Sequence, residues 1–133
     1  MLNIKFRYKN NTIPIQVFLN GNHLNLSSKL DTGNNLVEPF SSLPVIIVKK
    51  QSLEKFLNCR ELFSANLVKK LKVRMIPYKS VGKAGGILKG FKADYVCIFN
   101  EKTMNKRDAY IAICENNILP DEFDALLNPA LLD

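Results

Sequence analysis

The chain has 133 residues, 47% of them hydrophobic, which suits one domain able to bury a core without disulfide or metal staples. Nineteen Lys and Arg against twelve Asp and Glu give a net charge of +7, which favours acidic partners, nucleic acid or an anionic membrane surface over basic ones. Cys59, Cys97 and Cys114 have no CxxC spacing and no signal peptide opens the chain, pointing to a reducing cytosol, and apolar runs of about six residues fall short of the ~20 that cross a bilayer.

In chain order, Ile4 to Tyr8 alternates like a strand, and IPIQVFL and HLNLSSKL flank Asn20-Gly21, the strongest short hairpin signal. PVIIVKK suits a buried strand, whereas SLEKFL and RELFSANLVKKL carry helical spacing. From Lys72 the pattern returns to strand: KVRMIPY and ILKGFKADYVCIF read as two arms about a glycine-bearing tip, KSVGKAGG, with Pro77 confining its arm to a sheet edge or a free ribbon. AYIAIC predicts another strand. LPDEFDALLNPALL predicts a helix that starts near Pro120, carries acids in its first turn and stops at Pro129. With no repeat or linker, residues 1–133 read as a single, mainly β domain.

The return arm of the first hairpin runs into Asp31-Thr32-Gly33. Alone, such a tripeptide is an ordinary turn, since Asp bonds nearby backbone and Gly tolerates positive φ. A hairpin that delivers a carboxylate into a tight loop, followed by a strand and a second, glycine-tipped hairpin, resembles the aspartic peptidases of the retroviral type. The blocks LDTGNNLVEP, LPVIIV, IPYKSVGKAGGILKGFKAD and FDALLNPALL narrow the match. They resemble the catalytic half of the membrane-anchored peptidases that process the sigma-E precursor in endospore-forming bacteria. Two positions depart from that pattern: Glu38 stands where Asp is expected, and Asn128 where His is usual.

The resemblance implies a half-barrel with short helices whose active site is completed by dimerisation, Asp31 being the catalytic residue. Amide hydrolysis needs a base for the water and an acid for the carbonyl oxygen at once, and two adjacent carboxyls sharing a proton supply both. Asp94, Asp108, Asp121, Asp124 and Asp133 are not followed by Thr/Ser-Gly, so the second carboxyl is expected from a second copy of Asp31 across a two-fold axis. Thr32 is expected to hydrogen-bond across the dimer and Gly33 to let backbone N–H groups approach the carboxylates; Asn34 resembles the fourth residue of the family motif. The flap expected to close over an extended substrate spans Tyr78, Lys79, Ser80, Val81, Gly82, Gly85 and Gly86.

The resemblance further implies a sigma-factor precursor as substrate, control by an activating protein, and no cofactor, metal or nucleic acid. It implies work on the cytoplasmic side of the cell or sporulation-septum membrane through an anchoring half absent here, so that this chain reads either as an excised catalytic domain or as a naturally short relative. The rivals are a basic docking or dimerisation module with little turnover and a small nucleic-acid-binding β domain; against the latter, the chain lacks Trp and has 9% aromatics. A Cys97 or Cys114 nucleophile paired with His23 would need a coincidence of fold.

Overall fold

The computed structural model describes residues 12–57, 69–80, 83–115 and 119–132. The expected strand at residues 4–8 and most of the expected helix at residues 60–71 lie outside them, as does Cys59. β1 (Thr12–Leu19) buries alternate residues, Ile13, Ile15, Val17 and Leu19, and pairs antiparallel with β2 (Asn22–Leu30). Asn20 and Gly21 both have positive φ, 52° and 81°, the two-residue turn whose twist matches the strands it joins. β3 (Val45–Lys49) is the expected buried strand, and α1 (Lys50–Leu57) lays Leu53 into the core beside it.

β4 (Arg74–Ser80) and β5 (Lys83–Lys92) form the second hairpin. The second arm is shorter than expected: at Ala93-Asp94 the chain turns, with the Asp94 amide on the Phe18 carbonyl and the Asp94 carboxylate on the Asn20 amide, both at 2.8 Å, before β6 (Tyr95–Asn100) begins. β7 (Thr103–Arg107), a largely exposed partner to β6, carried no apolar alternation to announce it. β8 (Tyr110–Cys114) is buried throughout.

The expected helix from Pro120 to Pro129 is not formed. Residues 121–122 turn, β9 (Ala125–Leu127) follows, and Pro129 opens a 3-10 turn (Pro129–Leu132) instead of ending a helix. The physical reason lies in Asp124. Its Oδ2 accepts the Ser27 amide at 3.0 Å and the Ser27 hydroxyl at 3.2 Å, and its Oδ1 accepts the Ser52 hydroxyl of α1 at 3.1 Å. An acid that reads as a first-turn helix residue is therefore a latch drawing the next three residues into the sheet.

Among the described residues nine strands make one open mixed sheet in the order β4-β5-β8-β3-β9-β2-β1-β6-β7, consistent with the expected half-barrel. β4 is an edge strand, as Pro77 requires. β9 lies between β2, to which it is parallel, and β3, to which it is antiparallel. The segment from β2 to β3 must therefore cross the end of β9, and Asp31 sits where that crossing begins.

Asp124→Ala strips the partner from the Ser27 amide and loosens β9, so a loss of about 1–3 kcal/mol is expected in urea unfolding. An unchanged midpoint would show that β9 holds its place without the latch.

Candidate functional site

The crossing loop is fixed almost wholly by hydrogen bonds. The Asp31 amide donates to the Leu127 carbonyl at 3.1 Å, prolonging the β2–β9 ladder by one bond, and the Asn34 amide returns to the Asp31 carbonyl at 2.9 Å. The Asp31 carboxylate, half-buried, accepts the Gly33 amide on Oδ1 at 3.0 Å. Gly33 does not use the positive φ open to glycine: among the described glycines only Gly21 does. A Cβ on Gly33 would instead rest 3.4 Å from Asp31 Oδ1. Thr32 is exposed at the turn.

Asn34 is the pin under this loop. It is 4% exposed, its Nδ2 donates to the carbonyls of Val45 (3.1 Å) and Leu126 (3.4 Å), and its Oδ1 accepts the Leu36 amide at 3.2 Å. Both amide donors and the acceptor are used, as burial demands. Asn128 works from the other side, giving Nδ2 to the Leu36 carbonyl at 2.9 Å and taking the Ala130 amide at 3.0 Å, which caps the 3-10 turn. Asn128 thus ties the end of β9 to the crossing loop.

Opposite lies the β4–β5 hairpin, and the two enclose a groove of about 880 Å³. Asp31, Gly33, Asn34 and Asn35 form its floor, Leu36, Val37, Pro39 and Ile47 an apolar wall, and Pro77, Tyr78, Lys79, Gly85, Gly86 and Ile87 its hairpin side. Of the residues singled out from sequence, Asp31, Gly33, Asn34, Tyr78, Lys79, Gly85 and Gly86 share the groove; Thr32 is not among those lining it. Val81 and Gly82 lie outside the described residues, and Ser80 contributes backbone pairing with Lys83. The two glycines expected at the tip sit inside β5. A Cβ on Gly86 would fall 2.6 Å from Tyr78 Oη and 2.7 Å from Cζ, and one on Gly85 would collide with the Tyr78 carbonyl oxygen. The absent side chain of Gly86 lets the Tyr78 ring lie over the neighbouring strand, an aromatic covering a strand glycine, while that of Gly85 makes room for the Tyr78 backbone.

His23 is exposed on β2 with its ring 5.2 Å from Phe18, and Cys97 and Cys114 are buried in β6 and β8. His23 therefore joins no nucleophile. Among the described residues no helix is long and apolar enough to cross a membrane.

Sequence reasoning missed the part played by Glu38. It is 1% exposed, yet its carboxylate accepts the amides of Phe40 (3.1 Å) and Ser41 (2.8 Å). Burial alone would raise its pKa; the Ser41 side chain, the two backbone amides and the positive charge of Arg74 outweigh that and hold it below the ordinary 4.5. A glutamate set just before the turn formers Pro39, Ser41 and Ser42 was the available signal. Because the folded pKa is lowered, its stabilisation is present above the unfolded pKa and is lost as pH falls through the folded value. Glu38→Gln, which sets an amide nitrogen against a backbone amide, is expected to cost about 1–3 kcal/mol at neutral pH. The gap to wild type should narrow below about pH 4.5 in parallel thermal melts, and a gap independent of pH would refute the assignment.

Known proteins similar to this chain fall in one family. The sporulation factor SpoIIGA family matches residues 1–131. The sporulation sigma-E factor-processing peptidase of Priestia megaterium is 26% identical over 134 residues, and that of Bacillus subtilis 28% over 136; each alignment covers 90% of this chain and 44% of the relative. The probable sporulation sigma-E factor-processing peptidase of Clostridium acetobutylicum is 29% identical over 117 residues, 86% of this chain and 40% of the relative. The chain thus spans less than half the length of these relatives. No solved structure gives a significant match. With a family match running from the first residue to two short of the last, the chain belongs to the sporulation factor SpoIIGA family.

Proposed function

We propose that the chain is the catalytic part of an aspartic endopeptidase, in which the Asp31 carboxyls of two identical chains activate one water between them to hydrolyse a peptide bond in a sporulation sigma-factor precursor. The observation that carries this reading is the groove: a carboxylate on a loop braced by buried amides, facing a glycine-bearing hairpin across an open and largely apolar space suited to an extended peptide. The names of the relatives supply the substrate class.

The chemistry follows from the loop. Oδ1 of Asp31 accepts the Gly33 amide, which orients the carboxylate while its remaining lone pairs stay open to the water and the partner's carboxyl. Like charges so close resist double ionisation, and the pair holds one proton. The ionised carboxylate takes a proton from the water as its oxygen attacks the carbonyl carbon, while the protonated carboxyl gives its proton to the carbonyl oxygen. On collapse the carboxyl that took the water proton gives it to the nitrogen, the C–N bond breaks, and the other carboxylate takes one hydroxyl proton, leaving an amine, a carboxylic acid and a pair that again holds one proton. Thr32, exposed at the turn, bonds to the partner loop and keeps the carboxyls coplanar. The β4–β5 hairpin lies over the substrate, pairing with its backbone and excluding water. On this reading the domain works on the cytoplasmic side of a membrane and is switched on by another protein.

Asp31→Asn is expected to abolish cleavage of the sigma-E precursor with an unchanged circular dichroism spectrum; a well-folded variant keeping about a tenth of the activity would end the aspartic mechanism. The shared site has its own test. Mixed with an equal amount of Asp31→Ala chains and left to exchange, wild-type chains should fall to about half their activity per chain, since random pairing leaves one dimer in four intact. Full activity after exchange confirmed by mass spectrometry would mean that one carboxylate works without a second copy. Gly86→Ala, which displaces the Tyr78 ring, should raise KM by roughly fivefold or more, whereas an unchanged KM would take the ring out of substrate binding.

A further inference from the structure

One large aromatic stands out of the surface beside the groove. Phe40 is 85% exposed at the tip of the loop that runs from Val37 to Pro44, two residues joined by a β-bridge. Exposure of this kind usually goes with a slack loop, and this loop is braced. The Glu38 amide donates to the Leu43 carbonyl at 2.9 Å, the Ser42 amide to the Glu38 carbonyl at 2.7 Å, and the buried Glu38 carboxylate holds the amides of Phe40 and Ser41 from inside. Arg74, the first residue of β4, sets its guanidinium 5.7 Å from the centre of the Phe40 ring. Val37 and Pro39 of the same loop line the groove, so the surface under Phe40 continues out of it.

We propose that Phe40 and Arg74 form an exosite for the stretch of protein substrate that runs out of the groove. An apolar side chain of that stretch rests on the ring and an acidic one meets the guanidinium; the inference rests on the reading of the groove as a peptide site. Aromatic residues and arginine are both enriched where proteins bind one another, and arginine is among the residues that dominate binding energy there. Charge selects the occupant. The loop's own carboxylate is buried and holds two amides, and Arg74, although its charge also favours that carboxylate, is exposed to solvent in a chain of net charge +7. A second copy of so basic a chain brings like charge to that guanidinium, whereas an acidic and apolar segment brings its complement.

The test measures binding apart from cleavage. Asp31→Asn chains are titrated against two fluorescein-labelled probes by anisotropy: a short peptide that fills only the groove, and the whole sigma-E precursor. Adding Phe40→Ala is expected to weaken precursor binding about tenfold while changing the short peptide's affinity by less than about twofold, and Phe40→Tyr should restore most of the loss. Arg74→Gln should weaken the precursor alone and flatten the salt dependence of its binding. Equal losses for both probes, or no loss for either, overturn the exosite. A Phe40→Ala chain that sediments as a smaller species than its parent overturns it too, by assigning the patch to contact between copies. If wild-type protein fails to cleave the precursor but the difference between probes persists, the catalytic reading falls and the exosite stands.

Discussion

The wedging of β9 between β2 and β3 is the constraint on which the rest of the groove depends. Three residues, paired parallel on one side and antiparallel on the other, force the chain to leap from one neighbour to the other across their end. The leap carries Asp31, and its first hydrogen bond, amide to Leu127 carbonyl, is the ladder's own continuation. The loop therefore inherits the rigidity of a sheet interior without being a strand. Asn34 and Asn128 complete it by bonding across the same gap from opposite sides.

The two walls of the groove are built on different terms. Under the floor, the side chains of Asn34 and Asn128 are buried and hydrogen-bonded, which is costly to assemble and hard to deform, because every displacement leaves a donor or acceptor unpaired away from water. The hairpin side is held at its base by its own ladder, by β5 pairing with β8 and by Ile76 and Leu88 packing with Val45, Tyr110 and Ala112, whereas at Gly85 and Gly86 it carries no side chain. A stiff floor beneath a hairpin with glycines where it meets the groove is a division suited to gripping a chain and releasing it.

What could be read from sequence followed the strength of local signals. The first hairpin was legible because the period-two burial of β1 and the Asn20-Gly21 turn agree with each other, and the loop was legible because Asp31-Thr32-Gly33 follows such an arm. β9 was not: Ala125 to Leu127 is too short to show a period, and Pro120, Asp121, Glu122 and Asp124 imitate the start of a helix. Its place is decided by contacts with residues almost a hundred positions away, which no local pattern contains. Gly85 and Gly86 misled differently. Glycine serves turns and close approaches alike, and only the Tyr78 ring lying over Gly86 separates the two uses. Glu38 was overlooked because a carboxylate is ordinarily a surface residue, and nothing in its neighbours' hydrophobicity announces that backbone amides enclose it.

The position of Pro77 on an edge strand has a consequence for how copies of this chain meet. An open sheet with bare edges invites growth by strand addition, the route by which β proteins polymerise into ribbons and fibrils. On the β4 side, Pro77 removes one backbone donor midway along the strand, and on the β7 side Lys106 and Arg107 bring like charges together if two such edges align. Both borders are thereby poor templates. Chains crowded together are steered away from endless edge-to-edge stacking.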